Sequence, residues 1–123
     1  MSDIKTVLDE TPFQTAGPFL HIGCLPNAIN IEGVFDNDLG VKPFANKHYD
    51  KFITITGSVF DGDGKALDDI MLESWQSDEN GVYSPECGFA RFVPDSLTKK
   101  FNLYTLKPGF MNNIDGKAQS PHI

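Results

Sequence analysis

Apolar and polar positions divide the chain into two unlike parts. From residue 51 a strict alternation begins: Ile53, Ile55, Gly57 and Val59 interleave with Phe52, Thr54, Thr56 and Ser58, the period of a half-buried strand. The stretch "DGDG" (61–64) follows, made of residues that tolerate positive φ. "DDIMLESWQS" (68–77) then supplies a second strand, so the pattern predicts a β-hairpin before "DENG" (78–81) turns the chain again. A third strand is predicted at "FARFV" (89–93) and a fourth at "KKFNLYTLK" (99–107), both rich in residues that strands favour. A further strand is expected at Lys117–Ile123, cut off as it begins. Residues 1–50 show neither period and are interrupted by Pro12, Gly17, Pro18, Pro26, Gly33, Gly40 and Pro43, which predicts an extended, irregular arm with short turns and no convincing helix. The expected fold is all-β: one domain, with an N-terminal arm (1–50) and an antiparallel β-sandwich core (51–123).

Length and composition agree with one folded domain: 123 residues, 40% hydrophobic and 11% aromatic, suffice to bury a core. Seventeen acidic against ten basic residues give a net charge of −7, which repels phosphate backbones and anionic headgroups alike. Nucleic acid and membrane are therefore poor partners. The start "MSDIKTVLDETP" has no apolar region behind basic residues, and no window approaches the ~20 apolar residues of a membrane span, so a cytoplasmic protein is expected. In that setting Cys24 and Cys87 are expected to be reduced thiols, and no Cys/His cluster suggests zinc.

The charged motifs carry little chemistry. A calcium loop starting at Asp61 needs Gly at its sixth position and Glu at its twelfth, where this chain has Ala66 and Leu72. Glu73 shares a strand face with Met71 and Trp75 and has no second carboxylate nearby, so an exposed Glu73, or one paired with Arg91, is favoured over an acid/base role. No nucleophile-elbow glycines flank a serine, and His21, His48 and His122 are the only histidines. Tyr83 and His122 remain. Phenolate and imidazole suit a hard ion such as ferric iron, but two donors make a weak site.

Three motifs, in order and spacing, carry a resemblance: "DETPFQTAGPF" (9–19), "GSVFDGDGKALDDIMLESWQSDENGVY" (57–83) and "TLKPGFMNNIDGKAQSPHI" (105–123). With them the chain resembles the intradiol ring-cleavage dioxygenases, and in particular the α-type chain of members built from two similar chains, α and β. The resemblance implies that the β subunit binds non-haem ferric iron through two tyrosines and two histidines, and that the α chain binds none. Tyr83 matches the first tyrosine position and His122 the first histidine. Met111 stands where the second tyrosine belongs, and the second histidine position falls beyond Ile123. Tyr83 and His122 are thus expected to be relic ligand positions.

By the same resemblance the N-terminal arm of an α chain reaches into the β iron site, so Thr15, Gly17 and Pro18 are expected to line the substrate cavity. Phe19 departs from the family's tyrosine there, keeping the wall and losing the hydroxyl. The implied reaction is cleavage of protocatechuate by O₂ to 3-carboxy-cis,cis-muconate, with the isolated chain inactive. Family α chains continue past the Pro-His-Ile stretch with closing strands and an arginine suited to the substrate carboxylate. The sandwich is therefore expected to be truncated and to leave Phe52, Ile55, Trp75, Phe101 and Leu103 partly uncovered. The alternatives are an enzyme acting alone with iron at Tyr83 and His122, and a stand-alone binding module of the transthyretin or immunoglobulin type.

Overall fold

In the computed structural model, residues 11–47, 49–84, 88–112 and 115–123 are described, apart from the side chains of Tyr49 and Asn112. His48 and Cys87 therefore lie outside the described residues. The strands run β1 (Phe52–Gly57), β2 (Leu72–Trp75), β3 (Phe89–Phe92), β4 (Phe101–Leu106), β5 (Met111–Asn112) and β6 (Ala118–Gln119). All pair antiparallel, as β1 with β4, β2 with β3, and β5 with β6. The fold is all-β, as the alternating pattern predicts.

The predicted hairpin between the first two strands does not form. Its turn is real: Asp61 Oδ1 accepts from the Asp63 and Lys65 amides, Leu67 N–H donates to Val59 O at 2.9 Å, and Phe60 bridges Ala66. The ladder stops at that single bridge. Beyond Leu67, Asp68 ion-pairs with Lys99 at the threshold of β4, which draws the chain away from β1. β4 instead faces β1 from Phe52↔Leu106 to Gly57↔Phe101, with Thr56 Oγ1 bonded to Asn102 Oδ1 at 2.7 Å. A six-residue strand thereby satisfies a ladder that the short return from the turn cannot offer.

One short helix occurs where none is expected. α1 (Leu20–Cys24) opens just after Pro18, with the Leu20 amide bonded to Gly17 O. It ends because Leu25 precedes Pro26, which disfavours the helical region; Leu25 has φ −145° and ψ 56°. A 3₁₀ turn at Asn27–Ile29 follows, and the buried Asp38 carboxylate caps it: Oδ1 accepts from the Asn27 amide and side chain, and Oδ2 from the Ala28 amide.

Among the described residues, the buried aliphatic and aromatic side chains are Leu25, Phe44, Ala90, Leu103 and Leu106, joined by the buried Pro26, so the N-terminal part contributes to the core. Phe44 lies there at φ 57°, a left-handed conformation costly for a bulky residue and held by its complete burial. Of the residues expected to be uncovered, Trp75 is 46% exposed, Phe52, Ile55 and Phe101 are half-buried, and Leu103 is buried. Among the described residues, no helix is long and apolar enough to cross a membrane.

Candidate functional site

Two turns, locked against each other through their backbones, place Tyr83. In the first, Asp78 Oδ1 accepts from the Asn80 and Val82 amides at 2.9 and 3.0 Å, while Asp78 Oδ2 meets Lys47 Nζ at 3.1 Å. The second is the Lys107-Pro108-Gly109 turn, whose Gly109 amide donates to Asp78 O at 2.9 Å. Neither glycine at the seam has room for a side chain. A Cβ on Gly81 would lie 2.0 Å from Phe110 O, and one on Gly109 2.2 Å from Glu79 O.

Gln76 fastens the same region to β4. Thr105 Oγ1 donates to its Oε1 at 2.8 Å, and its amide nitrogen donates to Leu106 O at 2.7 Å, all of it buried. The sequence carries one signal of this network, which motif spacing does not reveal: alternation along Leu72, Ser74 and Gln76 puts an amide on the inner face, where it must find partners.

Burial raises the Asp78 carboxyl, but the Val82 and Asn80 amides and the Lys47 ammonium outweigh it and hold the group below the usual carboxylate range. A folded pKa below the unfolded one gives stability that is present above the unfolded value and is lost as pH falls through the folded one. Asp78→Ala is expected to cost about 1.5–3 kcal/mol in urea unfolding at neutral pH, the range for hydrogen bonds to a charged group. The gap to wild type should narrow below about pH 4, where the carboxylate takes up its proton. A gap that stays constant into strong acid would show that the charge contributes nothing.

Tyr83 leaves this turn half-buried and stacks on Trp75, with ring centroids 5.9 Å apart. Met111 sits on β5 beside Gly81, and β6, paired to β5, carries the chain on to His122. The structure brings the two expected relic positions together, with Tyr83 Oη 3.3 Å from His122 Nε2. His122 Nδ1 lies 2.8 Å from Ser120 O, which can only accept, so Nδ1 carries a proton, and in the neutral ring Nε2 is then the atom that accepts from the tyrosine hydroxyl.

As a donor set for ferric iron this falls short. Tyr83 and His122 satisfy each other, the neighbouring Met111 offers only a soft thioether, and among the described residues no three His, Cys, Asp or Glu side chains group to hold a metal. Among the described residues, the donors brought together here do not fit a ferric centre.

The other expected site residues lie on the arm. Thr15, Gly17 and Pro18 are exposed, as is all of 11–20, and Phe19 is 74% exposed. A Cβ on Gly17 would meet nothing within 4 Å. Glu73 pairs with Arg91 as expected, both Nε and Nη2 reaching its Oε1 at 2.8 and 2.7 Å. Cys24 carries a free thiol. A cleft of about 910 Å³ opens between α1 and the loops 68–71 and 93–96, lined by Leu20, His21, Cys24, Met71 and Pro94 among others; no sequence pattern announces it, because its walls meet only in the fold.

No protein-family model matches the chain. It is 37% identical over 129 residues to the protocatechuate 3,4-dioxygenase alpha chain of Pseudomonas putida, an alignment that covers 95% of this chain and 61% of that protein. It is 30% identical over 130 residues to the protocatechuate 3,4-dioxygenase alpha chain of Burkholderia cepacia, covering 96% of this chain and 62% of that one. The chain spans a little over three-fifths of the length of these curated relatives. The resemblance carried by its motifs extends along nearly all of its own length.

Proposed function

We propose, starting from its resemblance to these alpha chains, that the protein is the non-iron α-type subunit of a protocatechuate 3,4-dioxygenase and works with a homologous β-type subunit that holds the iron. The observation that carries the proposal is the 37% identity over 95% of the chain. Ferric iron in the partner would supply activation of the catecholate by direct coordination. The reaction adds both atoms of O₂ across the bond between the two hydroxyl-bearing carbons and gives 3-carboxy-cis,cis-muconate.

This chain supplies shape. Thr15, Gly17 and Pro18 stand exposed, with none of the described residues packed over Gly17, and can serve as one wall of the partner's cavity, closing it to water. Phe19 extends that wall without a polar group, so this chain makes no hydroxyl contact to substrate there. Tyr83 and His122 are relic positions, kept as a hydrogen-bonded pair that joins the strand exit to the 78–81 turn.

Co-expression tests the assignment. With a homologous chain carrying two tyrosine and two histidine ligands, the two should purify together as a coloured, iron-containing complex that opens protocatechuate, while this chain alone, supplied with iron, should remain colourless and inactive. Turnover by the isolated chain, or failure of the chains to associate, would overturn the proposal.

A further inference from the structure

The exposed start of the arm, residues 11–19, leaves the body through α1, which is held at its end by the buried Leu25 and Pro26 and along its own length by little else. None of its residues is buried, it stands over the 910 Å³ cleft, and the hydrogen bonds of Leu20, Ile22 and Leu25 run to Gly17, Phe19 and His21 within the same segment. Among the described residues, the hydrogen bond that joins residues 11–24 to the sheets comes from Arg91 on β3. Its Nη1 donates to Cys24 O, the last carbonyl of α1, at 3.3 Å. That carbonyl lacks a continuing helical partner, and a guanidinium meets it at the negative end of the helix.

Arg91 is itself rigidly set. Glu73 takes Nε and Nη2, the plane lies with its carbon 5.5 Å from the Phe89 ring centroid, and the side chain is 15% exposed. Its backbone amide also donates to Gly40 O at 3.1 Å, where a Cβ on Gly40 would come within 2.6 Å of that nitrogen. One residue therefore holds the N-terminal part at two separate points, Cys24 through its side chain and Gly40 through its backbone.

We infer that Arg91 is the positioning residue of the arm: anchored by Glu73, it fixes the direction of α1 and so the place of Thr15–Pro18 against whatever the arm lines. The inference rests on the proposed function for its kinetic consequence, not for the tether itself. The geometry also separates arginine from lysine. A lysine could keep the charge opposite Glu73, but one ammonium lacks the planar fork that reaches Glu73 and Cys24 together.

The tether is read by hydrogen exchange in this chain. Arg91→Met should speed exchange at the amides of residues 20–25 by about tenfold while β1 and β4 stay protected, a local opening and not a global one. In the co-expressed complex with protocatechuate, Arg91→Met and Arg91→Lys should both lower kcat/KM by about tenfold, mostly through KM, since small displacements of a positioning wall are costly. Arg91→Lys should nevertheless melt close to wild type, a split that a merely structural ion pair would not give. Unchanged exchange in 20–25 overturns the inference, as does full kinetic recovery in Arg91→Lys. If the wild-type complex does not turn over protocatechuate, the proposed function fails and the exchange measurement still decides the tether. If Gly17→Val alters the kinetics and Arg91→Met does not, this inference alone fails.

Discussion

Gly17→Val should lower kcat/KM of the proposed complex with a β-type chain by about a hundredfold, equivalent to about 2.7 kcal/mol of transition-state stabilisation, while leaving this chain's own stability nearly untouched. The two halves of that expectation have separate grounds. Within the chain, a Cβ at Gly17 meets nothing within 4 Å, so folding does not sense the substitution. In the complex, valine adds a branched side chain where bare backbone would otherwise approach substrate, and the β-branch also stiffens the arm. Gly62 is the natural control, since it too meets nothing within 4 Å but sits in the 61–64 turn, far along the chain from the arm. Gly62→Val should be silent in kinetics. If Gly17→Val behaves like Gly62→Val in a complex of normal composition, the arm lines no cavity.

The second large effect is on folding. Gly81→Ala should cost about 3 kcal/mol or more, because two penalties fall on one residue. Its φ of 77° is strained for any L side chain, and its Cβ would be driven 2.0 Å from Phe110 O and 3.0 Å from Met111 Cα, both of them backbone atoms that cannot swing aside. Gly116 isolates the terms: its φ is 73°, yet a Cβ there meets nothing within 4 Å. Gly116→Ala should therefore show only the conformational cost of about 1–2 kcal/mol. Urea unfolding of both variants measures the difference. Equal losses would mean that the seam between the two turns relaxes freely, and that Tyr83 and Met111 are not held in register by it.

How far the sequence reveals this molecule depends on the kind of question. Faces were legible: Ile53 and Ile55 alternate with Thr54 and Thr56 as a half-buried strand requires, and Glu73 is found opposite Arg91, on the exposed face that it shares with Met71 and Trp75. Partners were not. Alternation fixes which side of a strand is wet but carries no information about which strand lies beside it, and the "DGDG" turn pointed to a neighbour that Asp68, paired with Lys99, leads away. α1 was missed because five residues are too few to show a helical period. Tyr83 and His122 could be named from the motifs, but their mutual hydrogen bond depends on β5 and β6 closing the approach, a contact between residues 39 apart in the chain. Asp38 gave no signal, since a carboxylate capping a 3₁₀ turn 10 and 11 residues before it has no local pattern.

The pairing of strands also sets an order of assembly. β2 and β3 lie entirely inside the loop that β1 and β4 must close: Glu73 meets Arg91 across 18 residues, whereas Thr56 meets Asn102 across 46. For a featureless chain the longer closure costs under about 1 kcal/mol more in entropy, too little by itself to separate the events sharply. Nesting sharpens them. Once the inner ribbon has formed, the 18-residue excursion between Glu73 and Arg91 collapses to the width of two paired strands, so the outer ends are joined by a much shorter effective tether. The inner ribbon is thereby a scaffold for the outer one, and a chain that reaches β1–β4 pairing first has threaded the harder route.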